Sequence, residues 1–300
     1  MTAVDLHPYP PAIADELPLP AAPEPRPIPE RKLCLVDYHL KGPVVPVPSR
    51  AADEMAGHVH GWLYRLQGQD PDERRPCDAE QQTAPFAAWL IGDGHRSRRP
   101  GQQSIRVCWY GQDAMQRATA ALAANQTAII GAQPFALAGI SPVSREPITA
   151  ASILERQEDA QIVRLHAISP VAFRNHARWH CSLDGQTVLG SCISRWLRLW
   201  PATLPEGFEG VHLGAVDRAR YLAWLGYISI SACELRTEMT RRSERMATMA
   251  LRGWVEYDLT GLDNPNRRRM VVALLRGAEV FGLGSRCAYG LGAVSLEILR

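Results

Sequence analysis

The chain has 300 residues, of which 46% are hydrophobic, and a formal net charge of +2 at pH 7. This length and apolar content are enough to bury a sizeable core and favour two domains of ordinary size. No run approaches the about eighteen consecutive apolar residues of a membrane span, and no basic segment followed by an apolar one opens the sequence, so a cytoplasmic protein is expected.

The seven cysteines are odd in number, scattered and without a Cys-x-x-Cys pair, which favours reduced thiols over a disulfide framework. His176, His180 and Cys181 lie close together in the sequence and suggest a metal site. Because no second cluster stands at zinc-site spacing, we predict neither a metal nor another cofactor.

The small net charge is unevenly distributed. Residues 1–31 carry five acidic and two basic side chains, and nine of the 23 prolines fall within the first 29 residues. Such a segment is expected to be extended or disordered, since proline interrupts both helices and central strands. The rest of the chain has five more basic than acidic side chains, and nearly all the basic ones are Arg, which suits bidentate contacts with phosphate.

Hydrophobic periodicity predicts the order β-α-β-β-α-β twice after about Lys32. In a first unit, residues 32–150, the predicted elements are strand 32–40, helix 52–67, strands 85–91 and 104–110, helix 113–125 and a strand region within 128–137. In a second unit, residues 151–300, they are strand 161–167, helix 187–199, strands 226–236 and 250–257, helix 265–280 and strand 293–299. We therefore predict an α+β fold of two tandem ferredoxin-like (RRM-like) units.

A glycine-rich loop stands between the last predicted helix and the last strand. Within Phe281–Gly292, glycine occupies positions 282, 284, 290 and 292. Glycine permits positive φ angles and close approach of the backbone, so a tight structural turn is the simpler interpretation. The alternative is that bare N–H groups face outward beside Arg286 and form a concavity for a phosphate.

Two common phosphate-binding motifs fit this loop poorly. A dinucleotide fingerprint follows a strand and opens a helix, whereas this loop follows a helix and opens a strand. A Walker loop would need Gly-Lys-Ser/Thr, which the sequence lacks.

The spacing Gly-x-Gly-x5-Gly-x-Gly after a C-terminal helix instead resembles the glycine-rich loop of CRISPR-associated endoribonucleases that process precursor crRNA, members of the RAMP superfamily. Residues 251–257 and 267–281 resemble the strand and helix that precede this loop in the family, and residues 163–174 resemble the first strand of its second unit. The family is built from two ferredoxin-like units, which agrees with the predicted fold.

The resemblance implies an RNA-binding loop and a set of partners. The loop residues expected to contact RNA are Gly282, Gly284, Ser285, Gly290 and Gly292. Arg286 fills the place of a basic residue that is usual in the family's loop, and is expected to stabilise charge on the phosphoryl oxygens. The implied partners are CRISPR repeat RNA, or crRNA, and other subunits of a CRISPR effector complex; no membrane is implied.

Helix 52–67 holds the other candidate catalytic residues. Its apolar residues recur at helical spacing and define a buried stripe: Met55, Val59, Trp62, Leu63 and Leu66. At about 100° per residue, His60 and Tyr64 share the exposed side of the helix, at spacing i, i+4. A lone helix histidine usually has a surface or packing role.

The family resemblance gives His60 a further role. A histidine on this helix commonly faces the glycine loop in the family, and the context Gly57–Leu63 is similar. The resemblance implies that His60 acts as general base or acid, and that Tyr64 orients the nucleophile or donates a proton. Tyr38 and His39 are weaker candidates.

The connection between the strands at 226–236 and 250–257 is rich in arginine. Its basic residues are Arg236, Arg241, Arg242, Arg245 and Arg252, interrupted by Glu238 and Glu244. One interpretation is a solvated hairpin tip. The other is that these arginines hold the backbone of a crRNA repeat, with Arg96, Arg98 and Arg99 as a second contact.

Several family members carry a second histidine where this chain reads Arg74–Asp78, which leaves catalysis by arginines, or no catalysis, as alternatives to His60. Three functions stay open. The first is a metal-independent endoribonuclease that cuts precursor crRNA by attack of a 2′-hydroxyl, leaving a 2′,3′-cyclic phosphate. The second is a non-catalytic RAMP subunit that holds crRNA in an effector complex. The third is a small-molecule binder whose glycine loop holds an anion.

Overall fold

The computed structural model describes residues 31–42, 49–68, 84–91, 102–130, 133–156, 158–175, 178–201, 203, 224–243 and 246–300. The proline-rich segment 1–30 and the arginine-containing loop around residues 96–99 lie outside the described residues.

The first unit is an antiparallel sheet with two helices on one face. Its strands are β1 (Leu33–Lys41), β2 (Phe86–Ile91), β3 (Gln102–Tyr110), β4 (Thr127–Ile130) and β5 (Gln133–Pro142), and its helices are α1 (Ser49–Leu66) and α2 (Gln112–Ala124). The strand order is β2-β3-β1-β5-β4, with each neighbouring pair antiparallel. Strands β2, β3, β1 and β5 form the ferredoxin-like sheet, and β4 extends its edge.

The strand region predicted at 128–137 is two strands rather than one. Strands β4 and β5 pair antiparallel, with Thr127 opposite Ala136 and Ile130 opposite Gln133. In the sequence, Gly131 and Ala132 are the two residues between Ile130 and Gln133. A two-residue connection that contains glycine is a hairpin signal, and the sequence interpretation missed it.

The second unit repeats the ferredoxin-like arrangement. Its strands are β6 (Ile162–Val171), β7 (Phe173–Asn175), β8 (Arg178–His180), β9 (Ser229–Ser243), β10 (Met246–Asp258) and β11 (Val294–Ile298), and its helices are α3 (Ala150–Leu154), α4 (Gly185–Leu199) and α5 (Pro265–Phe281). The main sheet has the order β11-β6-β10-β9, and β7 and β8 form a separate hairpin. The two-unit α+β fold is confirmed, whereas α3 and the β7–β8 hairpin were not predicted.

The β9–β10 hairpin is longer than predicted. Its ladder continues through Met239 opposite Met249 and Thr240 opposite Thr248 as far as Ser243 opposite Met246. The arginine-rich connection was expected to be a loop, but Thr237, Thr240 and Thr248, which are β-branched and favour strands, lie within the extended ladder.

Alternate residues of β1 serve two cores. Val36, Tyr38 and Leu40 point toward the core that α1 and α2 cover. Leu33 and Leu35 point the opposite way and join the core of the second unit. Because consecutive side chains of a strand face opposite sides, one strand connects both units.

Hydrogen bonds also cross between the units. The indole N–H of Trp89 donates to the carbonyl of Leu291 at 3.1 Å, and the hydroxyl of Tyr110 donates to the carbonyl of Phe281 at 3.3 Å. The boundary that we propose at residue 150 falls on the first residue of α3. These contacts fix the first sheet against the end of α5 and the loop that follows.

We predict that Gly253→Ala destabilises the protein by about 2 kcal/mol or more, a typical cost for a non-glycine residue in a strained backbone region. Gly253 lies in β10 with φ of 127°, and a Cβ atom there would stand 1.9 Å from the carbonyl oxygen of Glu234 on β9. Thermal or urea unfolding measures the change.

The matched control is Gly190→Ala in the middle of α4. A Cβ atom at Gly190 would meet nothing within 4 Å. This substitution should therefore stabilise the protein by about 0.5–1 kcal/mol through the helix preference of alanine. Equal effects of the two substitutions would contradict the backbone assignment at Gly253.

Candidate active site

His60 of α1 contacts the glycine-rich loop of the second unit. Val59, Trp62 and Leu63 are buried and hold α1 on the first sheet, which leaves His60 half-buried on the flank of the helix. His60 Nδ1 lies 3.0 Å from the carbonyl oxygen of Ala288. Because a carbonyl oxygen only accepts, this hydrogen bond places the proton on Nδ1 and makes Nε2 the basic nitrogen of the neutral ring.

Three aromatic rings surround the imidazole of His60. Tyr289 stacks on it with 3.7 Å between ring centroids and 26° between planes. Tyr64 meets it edge-on at 4.7 Å, and Phe86 of β2 is tilted against it at 5.6 Å. The structure thus brings His60 and Tyr64 together as expected from their spacing. Sequence interpretation missed Tyr289, although an aromatic residue inside a loop of small residues was a usable signal.

Seven N–H groups of the glycine-rich loop donate hydrogen bonds within the protein. All four of its glycines have positive φ. The backbone amides that donate to acceptors in the protein are those of Gly282, Leu283, Gly284, Ser285, Tyr289, Gly290 and Gly292. The expectation that bare N–H groups face outward is therefore wrong for these residues, because the φ angles that glycine permits here close the turn on itself.

Arg195 of α4 fastens the loop from inside. Its guanidinium donates to the carbonyl of Phe281 at 2.6 Å and to the carbonyl of Gly284 at 2.7 Å. Carbonyl groups at a helix end attract a cation, and this pair holds the junction between α5 and the loop. Sequence interpretation missed Arg195, since nothing in the pattern of α4 separates it from Arg198, the other arginine of that helix.

The side chain of Arg286 extends from the loop to residues of two strands, β8 and β10. It is the only described non-glycine residue with positive φ, at 62°. Its guanidinium donates to the hydroxyl of Thr248 at 3.0 Å and lies over the ring of Trp179, 4.5 Å from the centroid. The side chain is half-buried and held in place two residues before Ala288.

Two of the five arginines of the β9–β10 hairpin contact the same carboxylate. Arg236 and Arg252 share the carboxylate of Glu238, with Nε to oxygen distances of 3.0 and 3.1 Å. Arg241 and Arg242 are in β9, but their side chains lie outside the described residues, as does all of Arg245.

The weaker candidates at the end of β1 have structural roles. Tyr38 is fully buried, accepts a hydrogen bond from the indole of Trp109 at 3.0 Å, and has its pKa raised to about 12 by burial. Tyr38 is therefore wrong as a catalytic candidate. His39 points to the opposite face, where its ring nitrogens contact the hydroxyls of Ser104 and Ser141 at 2.9 and 3.0 Å.

The described part of the chain contains no group of three or more His, Cys, Asp or Glu residues placed to hold a metal ion. His180 and Cys181 are exposed, and His176 lies outside the described residues.

None of the helices that the structure describes is long and apolar enough to cross a membrane.

Several solved structures with a similar fold are Cas6 proteins. The Cas6 (TTHA0078) product complex is 23% identical with a TM-score of 0.65, and the match covers 88% of this chain and 99% of that one. The Cas6 (TTHB231) product complex is 15% identical with a TM-score of 0.69, covering 88% and 100%. Thermus thermophilus Cas6 (TTHB231) is 15% identical with a TM-score of 0.62, covering 89% and 99%.

The family comparison concerns the part of the chain that carries the loop. Residues 165–294 match the model of the CRISPR-associated endoribonuclease Cas6 family. No curated protein matches the chain. The match begins in β6 and includes the whole glycine-rich loop, on which the resemblance rested. The resemblance is confirmed over this segment, which is similar to the CRISPR-associated endoribonuclease Cas6 family.

Proposed function

We propose that this chain binds CRISPR repeat RNA and cuts precursor crRNA, without a metal ion, by attack of a ribose 2′-hydroxyl on the adjacent phosphate. The observation that carries this proposal is the hydrogen bond between His60 and the carbonyl of Ala288. It brings an acid–base group of the first unit to the glycine-rich loop within the segment that matches the Cas6 family. Similar Cas6 folds in product complexes support the same conclusion.

His60 is the proposed general base. An imidazole gives and takes protons near neutral pH, which suits it to activate a hydroxyl beside a phosphate. Its Nε2 accepts the 2′-hydroxyl proton as the 2′-oxygen bonds to phosphorus. The bond from phosphorus to the 5′-oxygen then breaks, and that oxygen takes a proton. The products are a 2′,3′-cyclic phosphate and a free 5′-hydroxyl.

Arg286 and Tyr64 complete the proposed site. Arg286 is held by Trp179 and Thr248, so its charge is already placed before it meets the phosphoryl oxygens. A preplaced charge stabilises the transition state without reorganisation. Tyr64, edge-on to His60, orients the nucleophile or supplies the proton for the leaving oxygen.

The RNA-binding surface that we propose includes the glycine-rich loop and the β9–β10 hairpin. Arg236, Arg241, Arg242, Arg245 and Arg252 would contact phosphates along the repeat, a mode of binding that reads shape and backbone more than sequence. The partners proposed with this activity are repeat RNA and other subunits of a CRISPR effector complex. The activity would place the chain in the cytoplasm, where the transcript is made.

The alternatives are separated by particular observations. A non-catalytic crRNA-holding RAMP subunit would share the fold and the loop, but it would not need His60 fixed in one orientation between Tyr289 and Ala288. An anion-binding loop would need outward amides, whereas seven amides of the loop donate within the protein. The endoribonuclease therefore accounts for more of the site.

We predict that cleavage of a labelled repeat RNA survives excess EDTA, stops when the sugar at the cut is 2′-deoxy, and falls at least about a hundredfold in His60→Ala, which is within the usual range for loss of a general acid or base. The measurement is the single-turnover rate under saturating protein. Binding of the deoxy RNA should be retained.

Two controls separate the mechanisms. Cleavage that ignores His60→Ala but is abolished in Arg286→Ala would assign the chemistry to arginine. Tight binding of repeat RNA by the wild type without any cutting would instead assign the chain to the non-catalytic class.

We predict that Tyr289→Ala slows cleavage by about tenfold or more while the affinity for the 2′-deoxy RNA stays unchanged, because small displacements of a catalytic group are costly. Tyr289→Phe keeps the ring on His60 and should restore the rate. If binding and cleavage fall together, or if Phe fails to rescue, Tyr289 does not position His60.

We predict that Arg241→Ala with Arg242→Ala weakens repeat binding and lowers the salt slope by about 0.7–0.9 for each phosphate that the variant no longer neutralises. The control is Arg267→Ala with Arg269→Ala, which removes the same charge from exposed positions at the start of α5. An unchanged slope in the first pair, or an equal change in both, would remove the hairpin from the interface.

A further inference from the structure

The β7–β8 hairpin carries a stack of planar groups beside the glycine-rich loop. Arg174 on β7 is the cross-strand partner of Trp179 on β8. The guanidinium carbon of exposed Arg174 lies 5.9 Å from the centroid of the Trp179 ring, and that of Arg286 lies 4.5 Å from it. Trp179 is half-buried and packs on the small cluster of Ala172, Ala250 and Leu291.

This stack is connected to the proposed cutting site by direct contacts. The amide of Ser285 donates to the carbonyl of Ala172 at 2.7 Å, which joins the loop to the residue just before β7. Arg286 touches Trp179, and two residues further on the carbonyl of Ala288 holds His60. An RNA whose phosphate reaches His60 and Arg286 therefore passes next to Trp179 and Arg174.

The hairpin has the chemistry of a site for an unpaired base. Residues 173–180 read Phe-Arg-Asn-His-Ala-Arg-Trp-His, with two arginines, two histidines and no carboxylate. Unpaired RNA bases are recognised by stacking on aromatic rings and on guanidinium planes, whereas bases inside a duplex stem are already stacked on each other. Exposed Arg174 beside Trp179 provides both a guanidinium plane and an aromatic ring.

A second arginine–tryptophan pair on the same unit has carboxylates beside it. Arg164 lies 4.5 Å from the ring centroid of Trp254 on the open face of the main sheet. Arg164 is also paired with Glu256 at 2.9 Å and with Glu297 at 3.5 Å. Carboxylates at that position would repel a phosphate chain, and the sequence of the β7–β8 hairpin, residues 173–180, contains none.

We infer that Trp179 and Arg174 form a stacking site for an unpaired base of the RNA next to the cut, beside the phosphate that Arg286 contacts. This inference rests on the proposed function, because it takes the phosphate at His60 as its reference point. The site would select RNA that is single-stranded beside the cut over RNA that is paired there.

The test measures affinity for two repeat RNAs that are 2′-deoxy at the cut, so that binding is observed without cleavage. Both have the repeat stem and an unpaired flank, but in one the flanking nucleotides are abasic and keep only sugar and phosphate. Arg174→Ala should weaken binding of the base-bearing RNA by about tenfold, and binding of the abasic RNA much less. Arg174→Lys should behave like Ala, since it keeps the charge and loses the plane.

Arg267→Ala is the matched control. Arg267 is exposed, and its guanidinium carbon lies 5.8 Å from the ring centroid of Trp224. It stands near the start of α5, whereas the loop follows the end of that helix. This variant should bind both RNAs as the wild type does. Substituting surface Arg174 rather than half-buried Trp179 avoids loss of the fold.

The outcomes separate the two proposals. Equal loss on both RNAs, full rescue by Lys, or unchanged affinity in Arg174→Ala would overturn the stacking site and leave the proposed function standing. If Arg174→Ala loses affinity for the base-bearing RNA only, and the wild type never cuts the ribose RNA, the stacking site would be supported and the nuclease overturned. Failure of the wild type to bind either RNA would overturn both.

Discussion

The hydrogen bond between His60 and the carbonyl of Ala288 is the contact on which the proposed site depends. Its two residues are 228 positions apart, one on the first helix and one in the last loop. Neither ferredoxin-like unit contains the site by itself. The shared core at Leu33 and Leu35, and the bond from Trp89 to Leu291, hold the units in the relation that the contact requires. Packing between the units is thus a condition of the proposed chemistry.

The glycine-rich loop acts on the imidazole through its carbonyl and its aromatic residue rather than through its amides. With seven amides donating inside the protein, the groups presented to His60 are the carbonyl of Ala288 and the ring of Tyr289. Arg195 fixes the start of the loop by binding two of its carbonyls. Positive charge for a phosphate then has to come from side chains, and Arg286 is the one that the loop carries.

Most of the fold could be predicted because periodicity and element order are local properties of the sequence. His60 and Tyr64 could be placed on one face of α1 by helical geometry, and the family resemblance supplied the direction toward the loop. Arg195, Trp179 and Tyr289 could not be assigned in that way. Their roles come from partners 86, 107 and 229 positions away in the chain, and no spacing in the sequence encodes such contacts. The direction of the loop amides likewise depended on acceptors in other elements, such as the carbonyls of Pro170 and Ala172.

The arginine content of the β9–β10 hairpin overstates the net charge that it would offer to the proposed RNA. Arg236 and Arg252 share Glu238, so this trio carries one net positive charge rather than two. Exposed ion pairs are weak, and the Arg236 side chain is 71% exposed, so a phosphate can replace Glu238 at small cost. Until it does, the carboxylate reduces attraction to any polyanion that fails to fit. For the proposed RNA ligand, we therefore expect selectivity to come from shape and from contacts with bases more than from long-range attraction.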